Sequence, residues 1–252
     1  MADPAIATES ALYLYGVSHS EQSKRRKLKS PGVDGIHAVE AVPCGDFLCW
    51  VSAVDHVVFS KELENNMENL EWLALHGVRH QQVVGEIAHD TTIVPARFGT
   101  LFSSRKALLK DVEARQRALQ KVFDRIADSD EWGVKVFAEP QPASAADATP
   151  ARSGRDYLQQ KSASMKKRPE QNDAPLAEFS AELEKVASDS APTGKVSGAQ
   201  PDLLWQATFL VPRSRRKRWD QVLRKFVQQW GGVRRIEING PWPPYSFVSD
   251  AK

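Results

Sequence analysis

The stretch Gly240-Pro241-Trp242-Pro243-Pro244-Tyr245-Ser246-Phe247 constrains this chain more than any other. Its prolines fix φ, remove backbone donors and hold each preceding residue to extended conformations. The segment is therefore expected to be neither an ordinary helix nor an ordinary strand. A stiff, polyproline-like tail carrying Trp242, Tyr245 and Phe247 fits better. Such a tail loses little conformational entropy when it docks. It is either a strap on its own domain or an element that docks a partner; aromatic side chains serve both uses.

The chain has 252 residues, room for one large or two small domains. A hydrophobic share of 41% supports a packed core over most of that length. The net charge of +2 lacks the basic excess usual in a dedicated nucleic-acid binder. Cys44 and Cys49 match neither a zinc-knuckle nor a redox C-x-x-C spacing, and two reduced thiols in a reducing compartment are expected. No apolar run is long enough to span a membrane. Met1 to Ser10 lacks the basic-then-apolar order of a signal peptide. A cytoplasmic protein is the expectation.

Periodicity divides the chain into elements. Ala11–Val17, Ile36–Val42 and Phe47–Val54 read as strands, the last two joined as a hairpin through Pro43-Cys44-Gly45-Asp46. A long helical region is expected from Ser60 to His89, its apolar stripe being Leu70, Leu73, Ala74, Val84 and Ile87 and its weak point Gly77. A short strand, Thr91–Val94, precedes Pro95. Ser103 or Ser104 can cap a helix running to Asp128 with Leu108, Val112, Leu119, Val122, Phe123 and Ile126 on one face. Trp132–Phe137 supplies another strand. The order β-β-β-α-β-α-β predicts a ferredoxin-like variant with helices on one face of the sheet.

Glu139 to Ser153 has the composition of a linker. Helices are expected at Arg155–Lys167 and, past Pro169 and Pro175, at Leu176–Ala187. Leu203–Val211 reads as a strand. Ser214 should cap a helix with Trp219, Val222, Leu223, Phe226, Val227 and Trp230 as its stripe, ended by Gly231-Gly232 and followed by strand Val233–Ile238. The expected fold class is α+β in two domains: residues 1–138 as the ferredoxin-like variant, a linker over 139–153, and residues 154–252 as a modified ferredoxin-like domain with the extended tail.

Catalytic signatures are missing from the sequence. It has no G-x-S-x-G elbow, no P-loop and no dinucleotide fingerprint. His76 and His80 are four apart on a helix, the spacing of a metal pair, but Gly77, Val78 and Arg79 between them exclude HExxH. His80 at a helix–sheet junction, hydrogen-bonded to backbone, is the better reading, and no metal or cofactor is expected. Two basic runs, Lys24-Arg25-Arg26-Lys27 and Arg213-Ser214-Arg215-Arg216-Lys217-Arg218, are solvated surface or contacts for an acidic protein. No RNP1-type aromatic segment accompanies them. Positive charge at a helix N-terminus opposes the macrodipole, so a partner or a counter-charge is expected for Arg215, Arg216 and Arg218. In Pro95-Ala96-Arg97-Phe98-Gly99-Thr100, Pro95 limits its strand to an edge or an end. Gly99 permits a turn, Phe98 is core, and Arg97 should bridge to Glu131 or Glu86.

That hexapeptide, together with Tyr13-Leu14-Tyr15-Gly16, Trp132-Gly133-Val134-Lys135-Val136, Gly154-x-x-Tyr157-Leu158 and the closing GPWPPYSF, resembles the gas vesicle protein F/L family from about Leu12 to Val248. The resemblance implies a non-enzymatic accessory protein of gas vesicle formation, associated with the vesicle in the cytoplasm. By the same resemblance it would bind the small hydrophobic shell-forming subunit and other gas vesicle accessory proteins, limiting aggregation during nucleation. Arg97, Phe98, Gly99, Trp242, Tyr245, Phe247, Arg215 and Arg216 are the candidate partner-binding or structural residues. A ligand-binding or enzymatic module on a ferredoxin-like scaffold is the competing reading, since that scaffold hosts many activities.

Overall fold

A computed structural model describes residues 10–21, 27–139, 174–191, 200 and 202–248. The expected helix at 155–167, the 140–153 stretch of the linker and most of the first basic run lie outside the described residues. The chain is a mixed helix-and-sheet protein whose contacts divide it into two units. The first comprises residues 1–132, 210–214 and 239–252; the second comprises 133–209 and 215–238.

In the first unit, strands β1 (Ser10–His19), β2 (Glu40–Cys44), β3 (Phe47–Asp55) and β4 (Ile93–Pro95) form a sheet ordered β2-β3-β1-β4, and β5 (Leu101–Phe102) also pairs with β1. The pairings are antiparallel. Gly45, at φ 57°, makes the tight turn of the β2–β3 hairpin, where Cys44 pairs with Phe47. Strand β2 starts later than periodicity suggested, because Ile36 lies exposed in the preceding loop. Pro43 and Pro95 both sit on edge strands, where a missing N–H costs no ladder bond.

Strand β1 carries a bulge between Leu14 and Gly16. One extra residue reverses the alternation of faces. Tyr13 and Tyr15 join the core beneath the long helix with Trp50, Val83, Val84 and Ile87. His19, of the same parity, instead packs on Phe47 and Phe123.

The helical region expected from Ser60 to His89 is broken into three parts. A π-helical turn at Val57–Lys61 and the short α1 (Leu63–Glu68) precede α2 (Leu70–Asp90). The break falls at Asn69, not at Gly77, because the Asn69 side chain caps α2 by accepting from the Glu71 and Trp72 amides. The core side of α2 is His76, His80, Val83, Val84 and Ile87, and Leu70 is 79% exposed rather than part of it. The next helix is also divided, at Arg115, into α3 (Arg105–Ala114) and α4 (Gln116–Ile126). Ser104 caps α3, as expected, by accepting from the Ala107 amide.

Strands β6 (Ser129–Ala138), β7 (Asp189–Ala191), β8 (Leu203–Pro212) and β9 (Arg234–Trp242) form the second sheet, ordered β7-β8-β6-β9. Helices α5 (Ala174–Glu184) and α6 (Arg216–Gln229) belong to the second unit. Pro175 does not interrupt α5; it occupies the first turn, where no amide bond is lost. Phe179 of α5 packs on Phe226 and Trp230 with ring centres 4.9 and 5.0 Å apart, and Trp219 packs on Phe209. Ser214 is not the cap of α6. It lies in a 3-10 turn, Arg213–Arg215, and Arg215 holds the N-cap position.

The octapeptide is not a free-standing extended tail. Gly240, Pro241 and Trp242 complete β9, an edge strand able to accommodate proline. Tyr245–Phe247 then forms a 3-10 turn, with the Tyr245 amide donating to the Pro243 carbonyl at 2.8 Å and the Phe247 amide to the Pro244 carbonyl at 3.1 Å.

Candidate functional site

The candidate residues of the first unit gather around β1, the 95–100 loop and the C-terminal turn. The bulge in β1 sets the loop in place: the Ala96 amide donates to the Tyr15 carbonyl, and the Leu14 amide to the Thr100 carbonyl, each at 2.9 Å. The Thr100 amide and hydroxyl both donate to the Arg97 carbonyl, which closes the loop on itself. Gly99 has φ 81°, the left-handed conformation this turn requires, and its amide donates to the Tyr13 hydroxyl at 3.1 Å. Phe98 is half-buried against the rings of Tyr13, Trp72 and His80.

Arg97 projects outward from this loop. The bridge expected from it to Glu131 or Glu86 is replaced by other contacts of those carboxylates. Glu86 accepts from the Lys29 and Ser30 amides at 2.9 Å. Glu131 is buried and accepts from the Ser246 amide and hydroxyl, both at 2.8 Å. Backbone amides and a nearby hydroxyl reach these oxygens with less conformational cost than a long Arg side chain. Burial raises the Glu131 carboxyl above the ordinary range, and the two bonds from Ser246 pull it back.

His80 is at the centre of the buried polar cluster. The Tyr13 hydroxyl lies 2.9 Å from His80 Nδ1, and the Tyr245 hydroxyl lies 3.0 Å from Nε2. Tyr13 already accepts from Gly99, so its proton points at Nδ1 and the imidazole proton sits on Nε2. Burial drives the His80 value down to about 4, so the ring is neutral at ordinary pH. Burial likewise raises Tyr13 and Tyr245, and Tyr15 goes up to about 12. The expected backbone contact of His80 is joined by two phenols from distant parts of the chain, which no local pattern signals. His76 bonds the Trp72 carbonyl and stacks on the Trp72 ring. Among the described residues no group of three or more His, Cys, Asp or Glu side chains could hold a metal ion.

The C-terminal turn docks on its own unit. Phe247 is 1% exposed, and Arg125 lies over its ring and donates to its carbonyl. Gly240, at φ 137°, passes so close to the Glu131 carbonyl and the Trp132 ring that a Cβ would stand 2.8 and 2.9 Å from them. Trp242 alone of the three tail aromatics faces outward, at 50% exposure.

Two shallow grooves flank this turn. One, of about 240 Å3, lies among Leu14, Val94, Arg97, Leu119, Tyr245 and Val248. The other, of about 290 Å3, lies among Gly85, Ala88, Ile93, Arg213, Trp242 and Pro243. The outward face of α2, carrying Leu70, Ala74, Val78 and Gly85, leads into the second groove. Leu75 and Val78 on that helix are also exposed. This arrangement offers apolar contact surface: the imidazole of His80 is neutral and enclosed, and the free thiols of Cys44 and Cys49 are buried, which raises both, Cys49 to about 12.

Arg215 and Arg216 belong elsewhere, at the start of α6 in the second unit. Their counter-charge is internal. Arg215 donates to the Val186 and Ala187 carbonyls just past the end of α5, the negative end of that helix, and Arg216 pairs with Asp220 at 2.8 Å.

A mixed α/β chain with a self-docked C-terminal turn and a hydrogen-bonded loop beneath it is the class of protein defined here. The sequence profile described as gas vesicle synthesis protein GvpL/GvpF matches residues 11–249, and the chain belongs to that family. It is 29% identical to gas vesicle protein L of Streptomyces sp. (strain CB03234), over 98% of this chain and 96% of that protein. It is 26% identical to gas vesicle protein F of Haloferax mediterranei, over 94% and 92%. Its fold is similar to the crystal structures of GvpF from Anabaena sp. PCC7120 (TM-score 0.67, 18% identity, 95% of this chain and 98% of that one) and from Microcystis aeruginosa (TM-score 0.63, 19% identity, 95% and 99%). No helix among the described residues is long and apolar enough to cross a membrane.

Proposed function

We propose that this protein acts in gas vesicle assembly by binding rather than by catalysis, and that it holds the hydrophobic shell-forming subunit in soluble form during nucleation. The family assignment supports the gas vesicle role. The observation that carries the binding role is the outward apolar face of α2, with Leu70, Leu75 and Val78 exposed and half-exposed Trp242 beside its C-terminal end. Exposed apolar side chains collected on one face mark interaction surfaces. An aromatic ring at the rim of a groove is a common anchor of such contacts. Arg97 is a second contact candidate. Phe98, Gly99, Tyr245 and Phe247 support this surface from behind. The protein works in the cytoplasm, on the vesicle or on its precursors, with the shell subunit and other gas vesicle proteins as partners.

The test is co-expression with the shell subunit, followed by size-exclusion chromatography of the soluble fraction. Val78→Glu and Trp242→Ala should lower the amount of soluble complex several-fold while leaving the protein folded. Undiminished complex with both variants would move the contact away from this face. No complex with the intact chain would remove the shell subunit as a direct partner.

A further inference from the structure

The outer side of α6 and strand β9 enclose a groove that the reading above does not use. It has a volume of about 360 Å3 and is lined by Arg216, Asp220, Leu223, Arg224, Val227 and Ile238. All six residues lie within the second unit. Val227 is 49% exposed and Ile238 41%, although sequence periodicity places Val227 with the buried stripe of α6. The groove therefore has an aliphatic floor open to solvent.

Two further properties define what would fit it. First, β9 is the terminal strand of its sheet, with β6 as its one strand neighbour among the described residues. An edge strand presents a row of backbone donors and acceptors. The prolines that would block pairing come only after Ile238, so the Arg234–Ile238 part of the strand keeps its amides. Second, the segment is basic: from Arg215 to Ile238 there are eight Lys or Arg residues against two Asp or Glu, of which Arg216, Lys225 and Arg235 are already paired with Asp220, Glu178 and Glu139. Arg224 is exposed within the groove, and Lys217 and Arg218 are exposed on the same helix.

We propose that this groove takes an acidic, extended peptide segment of another protein, which adds to β9 as a further strand alongside α6. The dimensions agree. The flank of α6 from Arg216 to Val227 runs roughly 18 Å, and the five-residue Arg234–Ile238 stretch of β9, whose Ile238 lines the groove, runs about 17 Å. Strand addition supplies affinity through main-chain bonds and selectivity through alternate side chains. Here aliphatic side chains of the segment reach Leu223, Val227 and Ile238, and carboxylates between them reach Arg224 and its basic neighbours. Nucleic acid fits less well, because the groove has an aliphatic floor and no aromatic ring on which a base could stack. This site is independent of the α2 face: it belongs to other residues and selects charge as well as apolar surface.

The probe is a short fluorescein-labelled peptide alternating Glu and Val, titrated with the full chain and followed by fluorescence anisotropy. Its control has the same composition with all Glu first and all Val after. Saturable binding of the alternating peptide is expected, weakened roughly tenfold by Arg224→Glu and by Ile238→Glu. Slowed amide exchange over Arg234–Ile238 in the bound state is expected as well. Circular dichroism reports whether each variant is folded; should Ile238→Glu misfold, Arg224→Glu on its exposed side chain carries the comparison. Equal binding of the block peptide would reduce the effect to charge alone and overturn the proposal. So would unchanged affinity in both variants, unaltered exchange in β9, or displacement of the peptide by a single-stranded RNA oligonucleotide at lower concentration.

Discussion

The C-terminal turn of the first unit and the α6–β9 groove of the second are both built around apolar side chains, yet they differ in what covers those side chains. At the turn, polar atoms are paired within the chain: Tyr245 with His80, Ser246 with Glu131, and the Phe247 carbonyl with Arg125. In the groove, aliphatic side chains stay open to solvent amid exposed positive charge. Conspicuous composition is therefore a poor guide to an interface. The proline-aromatic segment looks made for recognition, but most of it completes a core. The open surface comes from Val227 and Ile238, which look ordinary in sequence.

The comparison breaks most readily at Phe247. Phe247→Ala should lower stability by about 3 to 4 kcal/mol, the usual cost of emptying a buried phenylalanine site, as measured by chemical denaturation. The matched change Val227→Ala, at a half-exposed position, should cost well under about 1 kcal/mol. Similar losses for the two would mean that the turn is a surface element and that the contrast is false.

Acid should act on the first unit through His80. Its folded value, about 4, lies below the ordinary histidine value of 6.5, because burial disfavours the charged ring. Between those two values the unfolded chain binds the proton and the folded chain does not, so stability falls as pH falls through this window. The contribution is intact above about pH 6.5, and its loss is complete below about pH 4. The whole effect is on the order of 3 kcal/mol. Gln can accept from Tyr13 and donate to Tyr245 without titrating, so His80→Gln should flatten the dependence between pH 6.5 and 4. Parallel pH profiles for the two proteins would place the acid sensitivity in other groups.

What sequence reasoning reached and what it missed follow from the range of the interactions involved. Local patterns located the strands Phe47–Asp55 and Leu203–Pro212, the Ser104 cap, and the placement of Pro95 at a strand end, since each depends on neighbours a few residues away. The break at Asn69 is also legible in principle: an Asn before Leu70-Glu71-Trp72 is a capping signal, and a cap marks a helix start more strongly than Gly77 marks an interruption. The Tyr13–His80–Tyr245 chain was not legible, because it joins residues 67 and 165 positions apart. Charge suggests Glu131 or Glu86 as the partner of Arg97, whereas Glu131 holds Ser246, a residue without charge, and Glu86 holds the Lys29 and Ser30 amides. The order of strands in the second sheet leaves β9 at the edge, and that decided both that Gly240–Trp242 could continue a strand and that Ile238 would remain open. No pattern within β9 itself carries that information.

The smallest effect should come from Trp242, and it separates fold from contact most sharply. Its ring is half-exposed, whereas Tyr245 and Phe247, three and five residues further on, are held by the core. Trp242→Ala removes side-chain surface beside the Ile93–Pro243 groove but no buried hydrogen bond, so the loss of stability should stay within about 0.5 kcal/mol. Beside the exposed apolar side chains of α2 the ring extends one patch, and it is such patches rather than single exposed rings that mark contact surfaces. Normal unfolding together with a several-fold loss of soluble complex with the shell subunit would assign Trp242 to the partner surface and divide the octapeptide into an outward half and an inward half. A loss of stability comparable to that of Phe247→Ala would instead make the whole octapeptide one strap, leaving α2 alone to meet the partner.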